Sequence, residues 1–249
     1  MSLIEIENLT HRFADGSLGL DGIHMKVEAG TFLVIAGANG SGKTTLLRHL
    51  NGLLRASEGE IRINGIDVAR EPALARRLVG MVFQDVDTQI VGETVADDIA
   101  FGPENLGLPR DEVTARVEEA LKALNLAAVR DMPPHVLSGG EKRRLAIAGV
   151  LAMEPMVIVF DEPFSNLDFP GIRSVLRHML SLHAEGKTLI VTTHDLEKVI
   201  AHVDRLVVLD DGRLAGDGPP LELMADIERY GVRQPCSVRL GKGLESWLN

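Results

Sequence analysis

The sequence predicts an α/β fold in which a mainly parallel sheet forms the core. An antiparallel β-subdomain accompanies this core, and a helical insert interrupts it. Short apolar runs suited to buried strands recur, and several precede helical patterns. These runs are Leu3–Ile6, Thr31–Ala36, Leu78–Phe83, Met156–Phe160, Leu189–Thr193 and Leu206–Leu209. Two turn sequences, Asn64-Gly65 and Asp210-Asp211-Gly212, each separate short apolar runs and predict antiparallel hairpins.

No strand pattern occurs between Gln84 and Met153, where helical spacing takes over. Residues 111–126 place five apolar side chains on one helical face, with Glu, Arg and Lys opposite; these five are Val113, Val117, Ala120, Leu121 and Leu124. We therefore expect one domain over residues 1–249, with a core of residues 1–84 and 154–218 and a helical subdomain at 85–153. Residues 219–249 form a C-terminal extension, predicted as a helix over 221–229 followed by a looser basic end.

Length and composition exclude several classes of protein. The chain has 249 residues, 45% of them hydrophobic, which suffices for a full core. Its net charge of −10 disfavours generic binding to a phosphate backbone, so we expect no nucleic-acid partner. The single cysteine, Cys236, excludes an intrachain disulfide and suits a reducing cytosol. No apolar run approaches the roughly 18 residues that a bilayer requires, so a membrane role would be peripheral.

Residues 37–44 form a phosphate-binding loop that fits G-x-x-x-x-G-K-[ST] without a gap. The loop follows an apolar strand and precedes a helical run, the context that the motif requires. Glycines let successive N–H groups face an anion, and the helix N-terminus adds a favourable potential. We expect Lys43 to reach the terminal phosphates and Thr44 to offer its hydroxyl to Mg²⁺. The candidate nucleotide-binding residues here are Gly37, Asn39, Gly40, Ser41, Gly42, Lys43, Thr44 and Thr45.

Two adjacent carboxylates, Asp161 and Glu162, follow the apolar run Met156–Phe160. They are therefore expected at the carboxyl edge of the sheet, where open α/β folds bind ligands. Asp161 is the candidate Mg²⁺ partner, directly or through water. Glu162 is the candidate general base for an attacking water. The alternative is a strand end with solvated acids, which a phosphate loop in the same chain disfavours.

A second glycine loop, Leu137-Ser138-Gly139-Gly140-Glu141, has two interpretations. By itself it could be a helix N-cap turn in which Glu141 completes a capping box. It also resembles the signature of the ABC (ATP-binding cassette) ATPase family. The resemblance covers nearly the whole chain through six motifs in the family's order: the loop at 37–44, Gln84, residues 137–141, Asp161-Glu162, residues 165–168 and His194. It implies a P-loop NTPase core.

The resemblance also implies a reason for the presence of two loops suited to binding phosphate in one chain. In the family, two subunits pack head to tail. Ser138, Gly139 and Gly140 of one chain would close over the γ-phosphate held by Lys43 of the other. The implied partner is a second ABC ATPase subunit, either identical or homologous, and two composite sites form per dimer.

Further roles are carried over one residue at a time. Gln84 resembles the glutamine that senses Mg²⁺ and water and links the core to the helical insert. Asp168 resembles the acid of the loop that couples the two nucleotide sites. His194 resembles the histidine that contacts the γ-phosphate. The resemblance thus implies Glu162, His194, Gln84 and Lys43 as catalytic, and Thr44, Gln84 and Asp161 as metal-binding.

Phe13 occupies the position of the aromatic residue that stacks on adenine, although His11 or Arg12 could shift the register. Two departures from the family pattern remove no catalytic group. Glu141 stands where glutamine is frequent, and Asn166 where a small residue is frequent.

Residues 85–108 resemble the ATPases of energy-coupling factor transporters, which include cobalt, nickel and biotin importers. In those proteins this segment forms a groove that receives helices of an integral membrane subunit. Residues 218–235 resemble the same subfamily, and the end of the chain matches nothing recognisable. The implied function is ATP hydrolysis that powers uptake of a micronutrient, from the cytoplasmic face of the membrane, with ATP and Mg²⁺ as cofactors.

Two alternative functions share the catalytic motifs. One is the ATPase of a conventional ABC importer or exporter, which differs only in the groove and the tail. The other is a soluble ABC ATPase acting on the ribosome or DNA, which the single cassette and the acidic charge disfavour. A non-catalytic cassette is disfavoured because Lys43, Asp161, Glu162 and His194 are all present.

Overall fold

The computed structural model describes residues 2–248 and contains two sheets. Met1 and Asn249, at the ends of the predicted ranges 1–84 and 219–249, lie outside the described residues. The strands are β1 (Ser2–Arg12), β2 (Leu18–Glu28), β3 (Phe32–Ala36), β4 (Glu58–Ile63), β5 (Ile66–Asp67), β6 (Val79–Val82), β7 (Val157–Asp161), β8 (Thr188–Thr193), β9 (Arg205–Asp210) and β10 (Arg213–Gly218).

Eight α-helices lie within the same described range, and three of them occupy the segment predicted to be a helical insert. The helices are α1 (Lys43–Leu50), α2 (Pro72–Leu78), α3 (Val95–Asn105), α4 (Arg110–Ala123), α5 (Gly139–Leu151), α6 (Phe169–Ala184), α7 (Pro220–Leu223) and α8 (Cys236–Arg239). Their distribution confirms the α/β class.

The larger sheet has the strand order β10-β9-β3-β8-β7-β6, parallel except for β10. Side chains of successive strand residues face opposite sides, so β3 supplies two hydrophobic cores. Phe32 and Val34 pack in one core with α3, α4, α5 and α6, whereas Leu33 and Ile35 pack in the other with α1 and the second sheet. All four side chains are fully buried, each contributing about 1.5–3 kcal/mol. This burial fixes the carboxyl edge of the sheet, where the candidate site lies.

The smaller sheet is antiparallel, in the order β2-β1-β4-β5. The predicted hairpin at Asn64-Gly65 is confirmed, and both residues have the positive φ that this turn requires. The predicted strand at residues 3–6 exists, but it pairs with β2 and β4. The sequence prediction omitted β2, although Ile23, Met25 and Val27 alternate with polar residues and are all buried. Gly19, Asp21 and Gly22, which precede Ile23 in β2, obscure that alternation.

Residues 85–153 contain no strand, as predicted, among the residues that the structure describes. The predicted helix over 111–126 is α4, whose apolar face is buried. It ends before Asn125, which has a positive φ of 56°. Helices α3, α4 and α5 contact one another and pack on the same core as α6. The helical subdomain therefore shares a hydrophobic core with the larger sheet and α6.

The predicted helix over 221–229 is wrong. Helix α7 ends at Leu223, and a separate 3-10 turn follows at Ile227–Tyr230. The side-chain amide of Gln234 donates to the carbonyl oxygen of Met224 at 3.0 Å, which occupies a carbonyl that a longer helix would use. Met224 and Ile227 are both buried, so tertiary packing outweighs helix continuity here. Within residues 2–248, no helix has the length and apolar character needed to span a bilayer.

Candidate functional site

The phosphate loop lies between β3 and α1, as the motif predicts. Gly42, the residue before α1, has a φ of +100°, and a Cβ atom there would lie 2.7 Å from the carbonyl oxygen of Gly19. A Cβ at Gly37 would lie 2.3 Å from the carbonyl oxygen of Leu209. Contacts that close exclude a side chain. The loop therefore needs glycine at both positions in order to pack between β2 and β9.

Lys43 is buried at the start of α1, inside this loop. Its amine donates to the carbonyl oxygens of Gly37 and Ala38 at 2.8 and 2.9 Å. Burial lowers the pKa of Lys43, and the nearby charges of Glu162 and Asp161 oppose that shift. A desolvated cation beside a helix N-terminus is a strong attractor for phosphate.

Asp161 ends β7 and is buried against two hydroxyl groups. The Thr44 hydroxyl lies 3.1 and 2.9 Å from its two carboxylate oxygens. The Thr192 hydroxyl, on β8, lies 2.6 Å from Oδ1. The structure therefore brings together the predicted metal candidates Thr44 and Asp161, although 117 positions separate them in the chain.

Glu162 follows Asp161 with a φ of 47°, a left-handed conformation that is uncommon for a non-glycine residue. This conformation turns its carboxylate toward His194, which follows β8. The His194 ring nitrogen Nδ1 lies 2.9 Å from Glu162 Oε1, and the His194 main-chain N–H donates to the same oxygen at 3.1 Å. Because an ionised carboxylate only accepts hydrogen bonds, Nδ1 is the donor in this contact whenever Glu162 is charged. Glu162 is the more buried partner of this carboxylate–imidazole pair.

A cleft of about 370 Å³ opens where these elements meet. Ten of its lining residues are predicted site residues: Phe13, Asn39, Gly40, Gly42, Lys43, Thr44, Thr45, Gln84, Glu162 and His194. Gly37 and Asp161 are not part of the lining but hydrogen-bond to Lys43 and Thr44, which are. The Ser41 hydroxyl is buried and has no hydrogen-bond partner within the described range, as expected of a loop shaped for an additional acceptor.

Phe13 stands at the mouth of the cleft, half exposed, and its ring packs edge-on against His11 at a centroid distance of 4.8 Å. Gly19 makes room for this ring, because a Cβ there would lie 2.6 Å from a ring carbon of Phe13. His11 is buried behind Phe13 and also contacts His49. Phe13 therefore presents its ring to the cleft.

The second glycine loop, residues 137–141, lies outside the cleft lining. Ser138 caps α5 by accepting from the Glu141 N–H at 3.3 Å, while the Glu141 carboxylate accepts from the main-chain N–H and the hydroxyl of Ser138 at 2.9 and 2.7 Å. The hydroxyl contacts lower the pKa of Glu141. The predicted capping box is therefore present. Ser138 and Gly139 are exposed, so this helix N-terminus faces outward.

Asp168 also lies outside the cleft lining. Its carboxylate accepts from the Gly171 N–H at 2.9 Å and caps α6. Within one chain, its observed role is that of a helix cap.

Arg143, on α5, was not predicted as a site residue. It is buried, and its guanidinium donates to the carbonyl oxygens of Phe83 and Gln84 at 2.7 and 2.9 Å. Desolvation by burial lowers the pKa of Arg143. The guanidinium therefore links α5 directly to the backbone at Gln84. In the sequence it stands in the charged run 141–144, which is typical of a solvated helix face.

Comparison with known proteins identifies the family. The family model described as "ABC transporter" matches residues 20–165, more than half of the chain. The chain belongs to the ABC transporter family. Among its relatives, the energy-coupling factor transporter ATP-binding protein EcfA of Methanocaldococcus jannaschii is 44% identical over 231 residues, which cover 92% of this chain and 83% of that protein.

Two solved structures support the same assignment. CbiO1 from Clostridium perfringens, part of the ABC transporter complex CbiONQ, has a TM-score of 0.83 and 36% identity over 97% of this chain and 99% of its own. The ATP-binding cassette MJ0796, in a dimeric post-hydrolysis state with ADP and phosphate bound, has a TM-score of 0.78 and 28% identity over 87% of this chain and 98% of its own. The ABC cassette described here is an ATPase.

Proposed function

We propose that this ABC ATPase is the ATP-hydrolysing subunit of an importer of the energy-coupling factor type. It would act at the cytoplasmic face of the membrane and power uptake of a micronutrient, such as cobalt or nickel ion or a vitamin such as biotin. The observation that carries the proposal is an apolar groove of about 500 Å³ between β6 and helices α3 and α5. Seven of its lining residues come from the segment 84–108, to which the family resemblance assigns the membrane partner: Gln89, Val91, Asp98, Phe101, Gly102, Asn105 and Leu106.

The groove has exposed apolar side chains on a rigid base. Phe101 and Val91 line it with exposures of 53% and 60%. Asp98 is buried beneath them, and its carboxylate accepts from the N–H groups of Val91 and Gly92 at 2.7 and 2.9 Å. Exposed apolar side chains on a preorganised surface are typical of protein-binding sites. The groove therefore suits an amphipathic helix of an integral membrane subunit.

Head-to-tail dimer closure is the second part of the proposal. The cleft holds Lys43, whereas Ser138 and Gly139 lie outside its lining. Ser138 and Gly139 present an exposed helix N-terminus that a second copy, or a homologous chain, could place there. The MJ0796 cassette is dimeric, which supports the pairing of two cassettes.

Hydrolysis is assigned to the residues of the cleft. Glu162 would accept a proton as the oxygen of water forms a bond to the γ-phosphorus and the bond to the bridging oxygen of ADP breaks. His194 would hold the Glu162 carboxylate in place, and Lys43 would stabilise charge on the phosphate oxygens. Gln84, on the cleft wall and tied to Arg143 through its backbone, would transmit the state of the site to the helical subdomain.

The residues present fit a magnesium–nucleotide complex. Thr44 and Asp161 supply hard oxygen ligands, which Mg²⁺ prefers, together with water and phosphate oxygens. Within residues 2–248, no cluster of three or more His, Cys, Asp or Glu side chains could hold a metal by itself, so phosphate oxygens would complete the site. When bound, Mg²⁺ would neutralise charge on the transferring phosphoryl group.

Purification from membranes tests the importer assignment. We expect the unmodified chain to retain an integral membrane protein and Phe101→Glu to lose it. Leu240→Glu is the matched control, because it places the same charge at an exposed apolar position outside the groove. Retention of the same protein by Phe101→Glu would refute docking at the groove. Recovery with a conventional permease, or with ribosomes or DNA, would instead support one of the two alternative functions.

A further inference from the structure

Thr192 is a buried hydroxyl residue near the end of β8, with no exposed surface. It pairs with Asp161 across the parallel register of β7 and β8. Burying a hydroxyl group is costly unless it forms hydrogen bonds, so its partners define its role. Those partners are the two carboxylate residues of the site.

The Thr192 hydroxyl lies between Asp161 and Glu162. Its oxygen is 2.6 Å from Asp161 Oδ1 and accepts from the Glu162 N–H at 3.3 Å. The same N–H donates to the carbonyl oxygen of Thr192 at 3.1 Å. The carbonyl of Phe160 is a more distant acceptor, at 3.5 Å. A charge-assisted bond to a carboxylate is the stronger one, so the hydroxyl proton belongs to the Asp161 contact.

This arrangement restrains both acids at once. Asp161 is held from one side by Thr44 on α1 and from the other by Thr192 on β8, so its carboxylate cannot rotate without losing a hydrogen bond. Glu162 has its left-handed backbone anchored at its N–H by two oxygens of a single residue. Thr192 itself does not line the cleft, so it can act only through its neighbours.

We propose that Thr192 is a positioning residue for the metal site: its hydroxyl fixes the Asp161 carboxylate in the orientation in which it can hold Mg²⁺ beside Thr44. This inference rests on the proposed role of Asp161. It adds a residue that supports a metal-binding carboxylate from behind, and loss of such a partner typically costs about 10- to 100-fold in metal affinity or activity.

Three variants separate this role from simple satisfaction of a buried hydroxyl. Thr192→Val keeps the approximate volume and removes the hydroxyl, whereas Thr192→Ser keeps the hydroxyl. Thr188→Val is the matched control, because Thr188 lies on the same strand, is equally buried and uses its hydroxyl to accept from the Gly30 N–H at 2.8 Å. Four residues of strand, about 13 Å, separate Thr188 from Thr192.

The measurement is the affinity of a fluorescent ATP analogue, titrated with Mg²⁺ and repeated in EDTA, with thermal unfolding recorded in parallel. For Thr192→Val we expect the half-saturating Mg²⁺ concentration to rise at least about tenfold, with unchanged affinity in EDTA. Thr192→Ser should retain the Mg²⁺ dependence of the unmodified chain. Thr188→Val should lower the thermal stability without changing the Mg²⁺ dependence.

Three results would overturn the inference. The first is an unchanged Mg²⁺ profile for Thr192→Val, and the second is a shift of the Mg²⁺ profile for Thr188→Val as large as that for Thr192→Val. The third is a loss of affinity for Thr192→Val that is as large in EDTA as in Mg²⁺. If the unmodified chain binds the analogue independently of Mg²⁺, the proposed metal site fails, and the role of Thr192 fails with it. A Mg²⁺-dependent unmodified chain with an insensitive Thr192→Val variant would overturn only the role of Thr192.

Discussion

Ser138 is a helix cap within one chain and, in the proposed dimer, also a ligand of the nucleotide bound to the other chain. Ser138→Ala removes the hydroxyl that accepts from the Glu141 N–H at 3.3 Å and donates to its carboxylate at 2.7 Å. Because the residue is exposed, the substitution leaves no cavity. We expect the free energy of unfolding to fall by about 1 kcal/mol, the usual cost of a lost cap.

The effect on ATP turnover should be much larger than this loss of stability. A donor that stabilises charge on a transferring group contributes about 100- to 1,000-fold to turnover. We therefore expect Ser138→Ala to remain folded and to lose at least about 100-fold in turnover. A residue that only caps α5 would leave turnover nearly unchanged.

Mixing two inactive variants tests whether the catalytic residues come from different chains. Lys43→Ala retains Ser138, and Ser138→Ala retains Lys43, so a mixed dimer contains one composite site with both residues. Random pairing of equal amounts makes about half of the dimers mixed, and each carries one intact site of two. We expect ATP turnover to recover to about a quarter of the unmodified level.

The control replaces the Ser138→Ala chain with a chain that carries both substitutions, since no mixed dimer then contains an intact site. Thermal unfolding of each variant verifies that it is folded. Absence of recovery in the first mixture would refute the shared site. Turnover per chain that is independent of dilution and unaffected by Ser138→Ala would refute it as well.

Two further predictions concern Glu162 and His49. Glu162→Gln should reduce ATP turnover by about 100- to 10,000-fold, because an amide cannot accept the proton of water, and it should accumulate an ATP-bound dimer on size-exclusion chromatography; unimpaired turnover would remove Glu162 from the mechanism. His49 is buried, and desolvation lowers its pKa below the ordinary value of 6.5. Below that pH the unfolded chain binds a proton that the folded chain excludes, so the free energy of unfolding should fall as pH falls, by at most about 1.4 kcal/mol per pH unit for this residue. Urea unfolding between about pH 5.5 and 7.5 should show a shallower pH dependence for His49→Phe, and an equally steep one would contradict this account.

Local sequence is sufficient to predict features whose residues are contiguous. The phosphate loop at 37–44 can be predicted because glycine spacing and the lysine act within one strand–loop–helix unit. The turn at Asn64-Gly65 is similar, since positive φ at both positions is a property of those two residues. The capping box of Ser138 and Glu141 lies within one helical turn. In each case backbone preference and structure agree.

Contacts between distant residues have no comparable sequence signal. Arg143 stands in a charged run, yet it is buried against the backbone of Gln84, because the packing of α5 on β6 places its guanidinium there. The helix predicted over 221–229 fails for a similar reason: Gln234, ten residues beyond Met224, takes a carbonyl oxygen of the predicted helix. Tertiary hydrogen bonds outweigh local propensity at both places.

By itself the sequence determined which residues can bind phosphate, hold a proton or cap a helix, since these are properties of side chains and of short stretches of backbone. Only the tertiary structure decided which of them meet. The parallel pairing of β7 with β8 places Asp161 opposite Thr192, and the insertion of α1 beside that edge adds Thr44. The physical reason is burial: two apolar cores fix the strand order, and the strand order fixes which polar side chains share the carboxyl edge of the sheet.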